Sequence, residues 1–205
     1  MQVRRPYLCL AALSLLLVAA PFSRATTVIQ PTFDRLVGTA DYVVRVKVKS
    51  IESAWRDNPA KPGERYIGTN VTLDVLETIS GTPPSPLVLD LVGGKVGQEE
   101  LTIEGAPKFT VGQESILFVR GNGTVYFPLV GLMHGYFPIR RDVRTGTAQV
   151  LHANGQPLYS EKELDPAAAS TAAVHGPADQ AMTPEAFRNR IRQRQHELLT
   201  LEKQN

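Results

Sequence analysis

One cysteine in 205 residues, one tryptophan and four histidines leave this chain short of the usual equipment of chemistry. Cys9 falls in the first apolar run, so the body of the chain has no thiol nucleophile, no thiolate metal ligand and no disulfide. His134, His152, His175 and His196 include no pair three or four residues apart, the spacing that sets two ligands on one helix face, and no His-Glu-x-x-His occurs. No serine stands in a Gly-x-Ser-x-Gly elbow. Glu99 and Glu100 are adjacent, and neighbouring side chains in a strand or turn point apart, so they make a solvated turn and not an acid and base pair. GGKVG at 93–97 lacks the spacing of a phosphate-cradling loop. The sequence therefore offers no catalytic residue, no metal site and no cofactor motif, and the chain is expected not to be an enzyme. Convergence of His134, His152 and an acidic side chain in one pocket would reopen that question.

Long apolar runs are also missing, except at the start. Arg4 and Arg5, an apolar run from Tyr7 to Ala20, and Ser23 and Ala25 at a small-x-small site form a secretory signal peptide over residues 1–25. The run is shorter than the ~20 residues that span a bilayer. Cleavage predicts an exported protein, periplasmic or extracellular, with no membrane span. Three basic residues leave with the signal, so 19 basic face 20 acidic residues, a balance that does not favour nucleic acid as a partner.

What the chain does have is alternation. Tyr42, Val44, Val46 and Val48 alternate with Val43, Arg45, Lys47 and Lys49, the pattern of a strand with one core face and one wet face. A polar loop with Pro59, Pro62 and Gly63 follows Trp55, and a second strand returns through Val71, Leu73 and Val75. Leu87 to Val92 form a third strand ending in Gly93-Gly94, a pair suited to a sharp bend or bulge. Leu101 and Ile103 make a short fourth segment. The unbroken run Ile116–Val119 predicts a strand buried on both faces in the middle of the sheet. Pro128 and Pro138 place VYFPLV and YFPIRR at edges or bulges, and RTGT before TAQVL predicts a hairpin. Before the first strand, Thr32 caps a short helix with Phe33, Leu36 and Val37 on its apolar side.

The fold expected is mainly β, an OB-like barrel or small β-sandwich over residues 26–159, with a short N-terminal helix. Residues 160–183, with seven alanines after Pro166, predict a flexible Ala/Pro-rich linker. Thr183 and Pro184 then open an amphipathic helix over 184–203. Its stripe of Phe187, Ile191 and Leu198 is a candidate surface for self-association. Its arginines at 188, 190, 192 and 194 are a candidate docking face for an anionic partner, tempered by the interleaved Glu185, Glu197 and Glu202.

Trp55 and Tyr66 bracket the first long loop and are the candidate ligand-binding residues, on the part of an OB-like barrel that offers a binding surface. Asn70-Val71-Thr72 and Asn122-Gly123-Thr124 match the glycosylation acceptor pattern, the second being equally a turn. ADYVVRVKV, ETISG and FTVGQESILFV, in that order, resemble the netrin-like, OB-like arrangement of the tissue metalloprotease inhibitors. That family acts through a cysteine at its mature N-terminus, and this chain would begin at Thr26. FDRLVGTADYVVRVKV, NVTLDVLETISG, Gly93-Gly94, GAPKFTVGQESILFV and VGLMHGYFPI, within about residues 33–140, are more closely similar to a bacterial exported domain found alone or beside matrixin-type metalloprotease domains. The resemblance implies a bacterial, exported, sheet-rich domain and supplies no site residues. The function expected is non-enzymatic binding or scaffolding, with a protein or polysaccharide partner in the cell envelope. The alternatives are an accessory of an exported protease, an enzyme with an unrecognised site, or an assembly protein oligomerising through its last helix.

Overall fold

Two long strands, β1 (Tyr42–Asp57) and β2 (Arg65–Gly81), pair antiparallel from Tyr42↔Gly81 to Asp57↔Arg65 and carry the rest of the molecule. The computed structural model describes residues 30–166 and 180–204. The expected signal peptide and residues 167–179 of the expected linker lie outside them.

The chain is mainly β. β3 (Leu87–Val92), β6 (Glu114–Val119), β7 (Tyr136–Arg141) and β8 (Ala148–Val150) complete a six-stranded sheet of order β3-β2-β1-β6-β7-β8. β4 (Gly94–Val96) and β5 (Glu99–Leu101) form a separate small hairpin that folds over β1 and β2. The large sheet is not closed into a barrel. Its β3 edge is occupied by the 122–126 segment, where Asn122 Nδ2 donates to Val88 O at 2.8 Å and Val92 N to Tyr126 O at 3.3 Å. Its β8 edge is occupied by Met182, whose carbonyl accepts from Val150 N at 2.9 Å.

Ile116, Leu117, Phe118 and Val119 are fully buried, as expected of a central strand. They alternate between two cores. Ile116 and Phe118 join α1 (Phe33–Thr39) and α2 (Pro184–Glu202) on one face, while Leu117 and Val119 join Val44, Val46, Leu89 and Leu129 on the other. Both helices start where the sequence places them, with Thr32 and Thr183 accepting from Arg35 N and Ala186 N.

β1 departs from the expected half-wet strand. Val43 is buried under the helices, and Arg45 on the same side is held by Glu114 at 2.9 Å and Glu185 at 3.2 Å. The charged face of β1 is thus partly covered, because its arginine has carboxylate partners there. β7 is likewise an inner strand despite Pro138. β8 pairs only with Ile139–Arg141, and at Pro138 only the carbonyl is used, by Leu151 N at 2.8 Å. The VYFPLV segment forms no extended strand; Leu129 makes a single bridge to Val119. Part of the segment expected as linker is structured: Glu161–Leu164 form a 3-10 helix with Ser160 and Glu163 as a capping box and Leu164 buried.

The last helix is part of the core. Phe187 and Ile191 are fully buried, and the Phe187 ring contacts those of Phe33, Phe118 and Phe137. Self-association through Phe187, Ile191 and Leu198 is therefore corrected: two of the three side chains are consumed inside the chain's own fold, and the third packs against that core.

Candidate functional site

The sequence candidates Trp55 and Tyr66 do not form one surface. Trp55 pairs with Ile67 and Arg56 with Tyr66, so the two rings leave the sheet on opposite faces. Both are half-buried, and the Arg65 guanidinium lies 5.6 Å from the Trp55 ring centroid. The Tyr66 face carries Arg56, which crosses Gly68 to pair with Asp90 and donates to Asn70 Oδ1 at 2.7 Å. Asn70 and Asn122 of the two acceptor motifs are thus both engaged within the chain, Asn122 in the turn that covers β3.

A cleft lies on the Trp55 face of the distal sheet. Its floor is Ile51, Ser53, Thr69, Val71 and Leu91, its lid is the β4–β5 hairpin, and its far wall is Ile103, Phe109 and Phe127. The cavity measures about 210 Å³. The Gly93-Gly94 bend creates it. Gly94 has φ +126°, and a Cβ there would overlap the Thr69 and Ser53 hydroxyls, so only glycine lets the hairpin fold this close over β1 and β2. Thr69, itself buried, donates to Gly93 O at 2.5 Å. With its proton committed there, Thr69 Oγ1 accepts from Ser53 Oγ at 2.8 Å, leaving the Ser53 lone pairs toward the cleft. Glu100 and Lys108 add one charge of each sign to the lining. Next to it, Tyr126 is 58% exposed; its carbonyl receives Val92 N, and its neighbour Phe127 lines the cleft.

Two of the histidines come together. His134 and His152 line one cavity of about 130 Å³ with Gln30, Met133, Tyr136 and Asn154. His152 Nε2 lies 3.3 Å from Glu163 Oε2, and Glu163 also accepts from Ser160 N at 2.9 Å. Burial, and then the nearby His152, hold the His134 imidazole below its ordinary pKa. His134 sits in a 3-10 turn, Leu132–Gly135, that follows Gly131 at φ +63° and opens with Leu132 at φ +59°, a left-handed angle unusual for a side chain of that size. Among the residues lining this cavity there is no serine, threonine or cysteine. Among the described residues no three His, Cys, Asp or Glu side chains form a ready metal cluster.

The basic helix is neutralised from within. Arg188 and Arg192 share Glu77 at 3.3 and 3.1 Å, Arg190 binds Glu161 at 2.6 Å, and Arg194 binds Asp34 at 2.5 Å and Glu197 at 2.7 Å.

No protein-family model matches this chain, and no curated protein matches it. The residues that sequence reasoning missed are those of the cleft, Ser53, Thr69, Phe109 and Phe127, which come from four separate segments. The one signal for it in the sequence is Gly93-Gly94, which marks the bend but not what the bend encloses.

Proposed function

We propose that this is an exported binding domain that captures an apolar anchor side chain of a partner protein in the cleft beneath the β4–β5 hairpin. The observation that carries the reading is the cleft itself: apolar walls from Ile51, Val71, Leu91 and Phe109, a hydroxyl with open lone pairs at Ser53, and the exposed Tyr126 beside it. Pockets that bind are mostly apolar with a few placed polar groups, and an anchor side chain seated in such a pocket supplies much of the energy of a protein interface while rim residues such as Tyr126 exclude water from it. A polysaccharide partner has less support, because its platform would be aromatic faces on one side, whereas Trp55 and Tyr66 lie on opposite faces and Trp55 is covered by Arg65. An anionic partner on the last helix has less support again, since each of its four helix arginines already holds a carboxylate.

Export rests on the 1–25 signal pattern, and a neighbouring secreted protease is the class of partner that the resemblance to matrixin-associated domains suggests. A second reading, an enzyme, draws on the meeting of His134, His152 and Glu163. The lining supplies no serine, threonine or cysteine, so that reading centres on general acid and base work by the histidines on a bound substrate.

The test is a photo-crosslinking amino acid at Tyr126, compared in intact cells with the same group at Val143, which is fully exposed on the β7–β8 turn. A discrete adduct from position 126 that is missing from 143 and is lost in a Phe109→Asp background supports the cleft. Equal adducts from both positions, or none from 126, count against it.

A further inference from the structure

β7 and β8 form a hairpin, and His134 and His152 stand two residues outside its two ends. Continuing the hairpin's register sets His152 opposite Phe137, and the 3-10 turn Leu132–Gly135 just before β7 brings His134 to the same cavity. We propose that this cavity is a transition-metal site in which His134 and His152 give imidazole nitrogens to a late first-row divalent ion, copper(II) foremost.

The second observation is the carboxylate behind the histidine. Glu163 takes backbone donors from Tyr159 and Ser160, so it is an acceptor, and the His152 Nε2 that faces it at 3.3 Å is the N–H nitrogen. The lone pair of His152 is therefore on Nδ1. A histidine whose far nitrogen is fixed by a carboxylate is the arrangement that orients imidazole toward a metal and raises its basicity. His134 is rigidly presented as well. Gly131 and Leu132 hold left-handed angles, and at Gly135 a Cβ would come within 2.8 Å of Val130 O. Met133 also lines the cavity and brings a thioether that can serve copper(II) as a weak axial ligand, while Asn154 and water can complete the shell. Two imidazoles with no thiolate select by the general order of divalent affinity, in which copper(II) stands highest.

The test titrates copper(II) into the untagged protein with glycine as competitor, and reads affinity together with the nitrogen hyperfine pattern in electron paramagnetic resonance. One ion per chain with two imidazole nitrogens is expected. His134→Ala or His152→Ala should weaken binding at least tenfold. Glu163→Gln, which still accepts in the capping box, should weaken it about 10–100-fold. His196→Ala, on the last helix, should change nothing. Should a histidine variant fail to fold, the wild-type imidazole proton resonances still decide: substoichiometric copper broadens His134 and His152 first. Early broadening of His175 or His196, a one-nitrogen spectrum, or unchanged affinity in both folded histidine variants would overturn the proposal.

Discussion

The ring of Phe187, in the last helix, lies 5.0 Å from that of Phe137 in β7, with no solvent reaching either. A helix that composition sets off behind an alanine-rich segment is thereby one wall of the principal core. Truncating Phe187 to alanine removes a fully buried aromatic and should cost about 3–5 kcal/mol, seen as a lower urea midpoint with little change in slope. Ending the chain at Tyr159 removes Ile191 as well and should leave a protein without a cooperative transition. An unchanged midpoint for either variant would show that the helix does not dock.

Acid should loosen the same helix. The Arg194 hydrogen bond holds Asp34 below its ordinary pKa. Burial is the largest single influence on Glu161 and Glu114 and would raise both, but the hydrogen bonds and charge of Arg190 with the Ser160 and backbone donors at Glu161, and of Arg45 and Arg141 at Glu114, together hold both low. Carboxylates with depressed folded pKa values bind fewer protons folded than unfolded. Their stabilisation is complete above the unfolded value, about 4, and is lost as pH falls through it toward the folded values. Thermal midpoints between pH 7 and pH 3 should drop, and a Glu161→Gln, Asp34→Asn double variant should drop less over that window. Equal slopes for both proteins would contradict the assignment.

Gly94→Ala should push the β4–β5 hairpin off the sheet. Its φ of +126° disfavours any side chain, and the new Cβ meets the Thr69 and Ser53 hydroxyls. A cost of about 1–3 kcal/mol is expected, together with faster amide exchange in β4 and β5. Gly97→Ala, where a Cβ meets nothing within 4 Å, separates the two causes, since it carries backbone strain at φ +62° without the clash.

Thr69→Val keeps the shape of the floor and removes the hydroxyl. Gly93 O and Ser53 Oγ each lose a partner, so about 1–3 kcal/mol of stability should go. Ser53→Ala leaves Thr69 bonded to Gly93 and should cost less. A reversal of that order would place the important hydrogen bond elsewhere.

Much of the fold was legible because local signals and tertiary packing agree. Ile116–Val119 has no polar residue to expose, and it lies mid-sheet. Thr183-Pro184 opens a helix by capping alone, and Asp142 with RTGT closes the β7–β8 hairpin, its carboxylate accepting from Arg144 N and Thr145 N. The second face of β1 was not legible, because Arg45 looks solvated until Glu114 and Glu185 arrive from 69 and 140 residues away, while Lys47 stays exposed. The distal halves of β1 and β2 continue as strands up to the polar loop that follows Trp55. Their polar side chains are satisfied across the strands, as Ser53 is by Thr69. His134 and His152 were only partly legible: the hairpin between them was visible, but its register sets His152 opposite Phe137, and the 3-10 turn that brings His134 to the same cavity has no signal in the sequence.

The cleft is the central claim, and chemical-shift mapping tests it most directly. Peptides selected from a random display library on the folded protein, then titrated against isotope-labelled protein, should carry an aromatic or large aliphatic anchor. They should shift the amides of Thr69, Gly93 and Phe109, and Phe109→Asp should abolish the shifts while Phe127 and Leu91 stay folded. Shifts confined to the Tyr66 face, to the β7–β8 turn or to the last helix, with the cleft amides unmoved, would contradict it.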